Sequence, residues 1–406
     1  MQRHDLTQHL ATLCARAGQG HGDGEPLVPP IVQSTTFCRD GLESQAEHCY
    51  SRESNPTVAA LEQALGALED APPAVAYGTG LAAETGLFLS LLQAGDHVVC
   101  SSALYGGTTR LLQQLFPNLG VTTTFVDSTD LEALERALRP STRLVFLESP
   151  ANPTLDVTDI RRASALAHEH GALCAVDNTF LTPLLQQPLE LGADVSVYST
   201  TKFIEGHSVA LGGSLVTRDE ALLDRLRFVR KCTGSILAPF NAWLTLQGLR
   251  TLPVRLERQS RSARAIANAL IEEPDVARVH YPTLCAEQAA LADRQHVGPR
   301  EARGGAVVSF ELAGGYERAC AVLDEVRECR LVEHVGSVET LLTHSASMTH
   351  GGVSREEREA AGVTEGLLRL SVGLEDPDVL IADLRQAIAT TASSVKSEGG
   401  VPCIAR

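Results

Sequence analysis

Lysine is scarce in this 406-residue chain: of its 34 basic residues only Lys202, Lys231 and Lys396 are lysine, the rest being arginine. A base-composition bias accounts for the imbalance. Its chemical consequence is that any reaction needing a lysine amine has three candidates. Basic charge is also in deficit overall, with Lys+Arg 34 against Asp+Glu 50 and a net charge of −16. A surface that acidic makes nucleic acid and anionic membrane poor partners. No C-x-x-C pair occurs among the ten cysteines, which argues against a zinc ribbon or a thioredoxin-type site. His344 and His350 are six apart, off the spacing of a helical metal pair, so no metal is expected. Long apolar runs are missing too: none approaches the roughly 18 residues of a membrane span. The opening MQRHDLTQHLATLCARAG holds no apolar block of signal-peptide length. A cytoplasmic, reduced location is the expectation.

What is present suits a large folded protein. Hydrophobic residues make up 44%, and the length suggests two or three domains at roughly 100–200 residues each. Residues 1–54 are rich in Gly, Pro, His and Ser without a sustained period, and read as an arm. From Asn55 the pattern becomes regular, with Val58, Leu61, Leu65 and Leu68 on one helical face behind Pro56-Thr57. The apolar runs HVVCSS, TTTFVD, TRLVFLE, ALCAVD and DVSVYS then alternate with amphipathic stretches. That alternation predicts a mostly parallel α/β sheet over 55–248. A long helical stretch followed by GAVVSFEL and GLLRLSVG suggests a smaller α+β domain over 249–390. The polar, Gly-rich residues 391–406 read as a mobile tail.

Two places could carry chemistry. Gly78-Thr79-Gly80 with Ala83 has the G-x-G-x-x-A spacing of a dinucleotide fingerprint and opens a helix. Glycines there expose N–H groups to any phosphate, and a tight strand-to-helix turn would use the same residues. The acidic residue downstream, Asp96, precedes a strand, whereas a ribose ligand should end one. The second place is stronger. Asp177 ends ALCAV and Lys202 follows VSVYSTT, so both fall beyond buried strands, where open α/β sheets bind ligands. Such residues also serve as a helix cap and a solvated loop lysine. Together they suit pyridoxal phosphate: a lysine amine to condense with its aldehyde and a carboxylate to keep its pyridine nitrogen protonated. Ser199 and Thr201 hydroxyls with the Gly80 and Leu81 amides would hold the phosphate. Gly206-His207-Ser208-Val209-Ala210 misses the G-x-S-x-G elbow at its last position.

From about Thr12 to Ile388 the chain resembles the Cys/Met-metabolism family of pyridoxal-phosphate enzymes. The resemblance rests on seven ordered segments. The first three are Tyr50-Ser51-Arg52 with Asn55-Pro56-Thr57, Leu104–Thr108, and Glu148-Ser149-Pro150-Ala151-Asn152-Pro153. Val176–Thr179, Ser199-Thr200-Thr201-Lys202, Ala346–His350 and Leu368–Gly373 follow. It implies a pyridoxal-phosphate transferase of fold type I. Lys202 would be the cofactor lysine and proton carrier, Asp177 the pyridinium partner and Tyr105 a ring-stacking residue that assists proton transfer. Asn152 would face the ring oxygen and the substrate, Arg369 would clamp the substrate carboxylate, and Glu333, His334 and Thr340 would complete the substrate site. Tyr50 and Arg52 would reach the phosphate of a neighbouring subunit, which implies at least a dimer and suggests a dimer of dimers. The implied activity is γ-replacement or γ-elimination on a γ-substituted amino acid of transsulfuration and methionine metabolism, with cystathionine γ-synthase or γ-lyase chemistry first. Methionine or homocysteine γ-lyase and O-acylhomoserine sulfhydrylase activities are the alternatives. A nicotinamide-dependent dehydrogenase on Gly78–Gly80 and a catalytically silent family member are the rivals of another class. Phe203, Glu205, Gly107, Arg230-Lys231, His334 and Ser345 depart from the family pattern and bear on substrate.

Overall fold

Short polar side chains that bond back to the chain fix where the helices around the sheet begin. Asn55 accepts from Thr57 N at the start of Pro56–Ala67, and Thr79 from Ala82 N at the start of Gly80–Leu91. Asp159 and Asp219 do the same for Ile160–Glu169 and Glu220–Thr233. The structure, a computed structural model, describes residues 3–20 and 22–392.

Seven strands build the larger sheet: β1 (Val75–Tyr77), β2 (His97–Ser101), β3 (Thr122–Val126), β4 (Thr142–Glu148), β5 (Leu173–Asp177), β6 (Val195–Tyr198) and β7 (Gly213–Val216). Their order is β1-β7-β6-β5-β4-β2-β3. The pairs from β3 through β6 are parallel, and β7 is antiparallel to both of its neighbours. β2, β6 and β7 are buried at every residue and β4 at all but Arg143, as strands covered on both faces must be, which is why they read as unbroken apolar runs. The expected parallel α/β sheet is what forms.

Five strands make the smaller sheet: β8 (Val276–His280), β9 (Val307–Leu312), β10 (Arg330–Leu331), β11 (Leu341–His344) and β12 (Leu367–Ser371), in the order β10-β11-β12-β9-β8. All pairs but β10 with β11 are antiparallel. Alternation along β12 turns Leu368 and Leu370 into the core formed with Val308 and Phe310. Arg369, in register with Thr343 and Ser309, points the other way.

The helix Pro239–Ile271 belongs to both cores. Its Leu246, Leu249, Leu252 and Leu256 pack with Leu61 and Leu65, while Ala263, Ile266, Ala267 and Leu270 pack with the smaller sheet. The expected division between 248 and 249 therefore falls inside one continuous helix. The irregular arm also contains more order than its composition suggests. A helix, Arg3–Ala15, buries Leu10 and Cys14 in the same core. Leu6, Leu10 and Cys14 recur four apart, with Leu13 beside them, but the stretch is too polar to stand out. Thr391 ends the helix Pro377–Thr391, and the tail from 393 onward lies outside the described residues. Among the described residues no helix is long and apolar enough to cross a membrane.

Candidate active site

Parallel strands put their C-terminal ends on one edge, and the chemistry collects there. β5 ends in Asp177, β4 in Glu148 directly beside it in register, and β6 leads through Ser199 to Lys202. The N-terminus of Gly80–Leu91 faces the same edge. Between them and β12 lies a cavity of about 360 Å³, lined on the sheet side by Asp177, Glu148, Ser199, Thr201 and Lys202. Gly80, Leu81, Tyr105, Asn152, Glu333 and Arg369 close it.

The Lys202 amine stands 3.1 Å from His334 Nδ1. Burial, with the positive charge of Arg369 second, lowers its pKa to about 8, so the amine gives up its proton far more readily than an ordinary lysine. Arg369 donates to Asn152 Oδ1 at 2.7 Å, to the His334 carbonyl at 3.1 Å and to Thr343 Oγ1 at 3.3 Å. Its Nε is buried without a partner, the condition of a guanidinium set to receive an anion. Close approach of two segments brings these groups together. Gly336 has φ +87°, and a Cβ there would stand 2.5 Å from Phe203 N. Only glycine lets the chain after His334 cross so near Lys202.

Carboxyl groups dominate the strand ends beside Lys202. Asp177 accepts from Thr179 N at 2.8 Å and is pushed up to about 6 by burial. Glu148 accepts from Tyr105 N at 2.7 Å, and burial, then Asp177, hold it well above the usual carboxylate range. Glu84 accepts from Thr108 Oγ1 at 2.7 Å and is pushed up to about 8, by burial first and Asp177 second. Three acids crowded in one dry place cannot all ionise. Such a cluster favours a cationic ligand edge. Tyr105 lies over it, its hydroxyl raised by burial. A Cβ on Gly107 would stand 2.4 Å from the Tyr105 ring, so the departure at 107 sets where that ring lies.

Ten of the expected site residues line this one cavity. Thr201 does so with its hydroxyl already bonded both ways to Gly212, at 3.0 Å each. His334 lies behind Lys202, on the wall of an adjoining open cavity that also holds Arg330 and Glu339. Thr340 is not brought in: it is buried, with Oγ1 donating to Glu375 at 2.6 Å and accepting from Gly373 N at 2.9 Å. Tyr50 and Arg52 also stand apart. The Arg52 guanidinium carbon lies 5.4 Å from the Tyr50 ring centroid, and Nη1 donates to Lys231 O at 3.3 Å. Glu84 was missed, although it is the lone acid in the apolar helix sequence GLAAETGLFLSL. Glu148 was quoted within a motif and given no task. Arg230, one of the departures, is structural: buried, it pairs with Glu62 and donates to Ala76 O at 2.9 Å.

These donors and acceptors fit pyridoxal phosphate: a lysine with a lowered pKa, buried carboxyls for a protonated ring edge, helix N–H groups for a phosphate and a guanidinium with a free Nε for a carboxylate. They do not fit a nicotinamide dinucleotide. Asp96, which would have to bind ribose, instead accepts from Gln93 N at 2.9 Å and pairs with Arg143 at 3.4 Å.

Comparison with known proteins agrees. Residues 11–389 match the family described as Cys/Met metabolism PLP-dependent enzyme. The chain is 40% identical to L-methionine gamma-lyase of Fusobacterium nucleatum, over 93% of this chain and 98% of that one. It is 40% identical to cystathionine beta-lyase MetC of Bacillus subtilis, over 97% and 99%. The crystal structure of cystathionine gamma synthase from Xanthomonas oryzae superposes with a TM-score of 0.89 at 41% identity, covering 94% of this chain and 97% of that one. With its lysine, acids and arginine converging on one cavity, the chain belongs to the Cys/Met-metabolism family of pyridoxal-phosphate-dependent enzymes.

Proposed function

We propose that this enzyme performs γ-replacement or γ-elimination on amino acids derived from homoserine or homocysteine, and that cystathionine is the thioether it handles best. The carrying observation is Glu333, which lines the cavity together with Lys202 and Arg369. A substrate gripped by its α-carboxylate at Arg369 meets a second carboxylate further along. Cystathionine has a distal ammonium to pair with it, whereas methionine has only a methyl thioether, which offers the carboxylate no partner.

Pyridoxal phosphate, when bound, supplies an aldehyde that takes up amines and a ring that accepts the electrons left behind by a departing proton. This chain's residues do the rest. Asp177 keeps a negative charge in a buried place, and so favours a protonated ring edge. Arg369, held by Asn152 Oδ1 and the His334 carbonyl, orients the substrate. Lys202 takes and returns protons at Nζ. Tyr105, which lines the cavity with a hydroxyl that burial keeps protonated, would stack on the cofactor ring and assist proton transfer. Ser199, Thr201 and the Gly80 and Leu81 amides offer the phosphate its donors, with Thr201 contributing chiefly by holding Gly212 in place. Tyr50 and Arg52 serve the phosphate of a neighbouring subunit in a cytoplasmic homo-oligomer, a dimer of dimers. Their distance from this chain's own cavity supports that assignment.

The test is a product screen of the yellow holoenzyme with cystathionine, methionine, homocysteine and O-acylhomoserines, with and without cysteine. Cystathionine turned over with 2-oxobutanoate, or formed from an O-acylhomoserine and cysteine, is expected. Methionine turned over fastest would favour the lyase reading carried by the F. nucleatum relative, and pyruvate would mark cleavage at the β-carbon. A yellow protein inert to all of them would mean a silent binding protein.

A further inference from the structure

The contact between Lys202 and His334 has no task in the reading above. Lys202 Nζ lies 3.1 Å from Nδ1, while Nε2 of the same ring is buried without a partner. The groups facing this pair are charged. Arg369, from β12, acts on both side chains, Glu339 faces the imidazole, and Glu333 and Arg330 lie on the shared cavity wall. Burial first, then the positive charges of Lys202 and Arg369, push His334 down to about 4, with Glu339 opposing. The ring is therefore uncharged near neutral pH and has one lone pair to offer. The Lys202 ammonium is a donor only, so in this contact Nδ1 is the acceptor.

We propose that His334 is a positioning residue for Lys202: its uncharged imidazole accepts the amine's hydrogen bond at Nδ1 and so holds on Nζ the proton that Lys202 carries between one transfer and the next. The idea rests on the reading of Lys202 as the amine that moves protons. Burial and Arg369 both favour loss of that proton. The Nδ1 lone pair is the counterweight, because an ammonium donates to it more strongly than a neutral amine does. Gly336 makes the contact possible by letting the backbone pass against Phe203.

With three lysines in the chain, the amine can be read one residue at a time. Full-length protein freed of cofactor is labelled with limiting acetic anhydride from pH 6 to 10, and each lysine is quantified by mass spectrometry. Lys231, half-exposed and paired with Glu53, serves as the internal reference. His334→Leu removes the acceptor and is expected to raise Lys202 labelling at pH 7 about tenfold relative to Lys231. His334→Asn places an amide oxygen near the position of Nδ1 and is expected to restore the wild-type profile. Equal rises in both variants would mean that the ring only fills space, and no rise in either would mean that it holds nothing. Should the Leu variant unfold, deuterium exchange at the imidazole C2 of wild-type protein decides. A titration midpoint well below the ordinary 6.5 is required, and a midpoint at or above it overturns the proposal, since an imidazolium has no acceptor at Nδ1. None of these readings needs bound cofactor, whose own test is an absorbance band near roughly 420 nm that borohydride abolishes.

Discussion

At the scale of single residues, charge decides what this site can do, at the exposed Glu333 and at the buried Glu84 alike. Glu333→Val is expected to lower kcat/KM for cystathionine about 10-fold or more, the scale of one charged hydrogen bond at about 1.5–3 kcal/mol. Methionine or homocysteine turnover should hold steady or rise, and parallel steady-state assays on both substrates check it. Equal losses would assign Glu333 to the fold. Glu84 gives a prediction about stability. Its carboxyl is pushed up to about 8 in the folded protein from an ordinary 4.5, so the folded state keeps a proton that the unfolded chain releases. That contribution is complete below about pH 4.5 and is lost as pH rises toward 8. Glu84→Gln keeps the Thr108 bond and does not titrate. Relative to wild type it should gain on the order of 2–4 kcal/mol between pH 5 and pH 8, read by denaturant or thermal unfolding at the two pH values. A constant difference would show that Glu84 ionises freely where it stands.

At the scale of elements, the site depends on how closely backbones approach. The Val335–Gly336 turn passes against Phe203 with φ +87° at Gly336, and this brings His334 to Lys202 and its carbonyl to Arg369. Gly336→Ala must accept a left-handed conformation and a clash with backbone. It is expected to cost roughly 1–3 kcal/mol and to speed cofactor loss on dialysis, which thermal unfolding and absorbance would follow. The motifs around Lys202, Asp177 and Arg369 were legible because each sits at the end or on one face of an apolar run. β7, β8, β10 and β11 were not picked out. They are two to five residues long, and nothing in so short a run separates strand from loop until a neighbouring strand supplies its hydrogen bonds. Thr340 shows the opposite failure. A hydroxyl on the right segment was read as a ligand for substrate, whereas Glu375, 35 residues on, takes it up.

At the scale of the whole molecule, the arm carries the remaining prediction. If Tyr50 and Arg52 complete a neighbour's site, Arg52→Ala should retain cofactor poorly. Mixing it with inactive Lys202→Ala chains should then restore part of the activity, because some hybrid sites hold both good residues. Activity after verified subunit exchange measures this, and no recovery would place Arg52 outside the neighbour's site. The sequence by itself determined the parallel sheet and the family, and it marked Lys202 and Asp177 as strand-end candidates for the site. Apolar runs, strand-end positions and motif order are local properties, written in residues near one another along the chain. Only the tertiary structure decided that Glu84, Glu148 and Asp177 share one dry wall, that Arg369 leans on Asn152 from 217 residues away, and that His334, 132 residues away in sequence, lies beside Lys202. Those facts depend on distance and on the exclusion of water. Neither exists until helices and sheets pack around a common cavity.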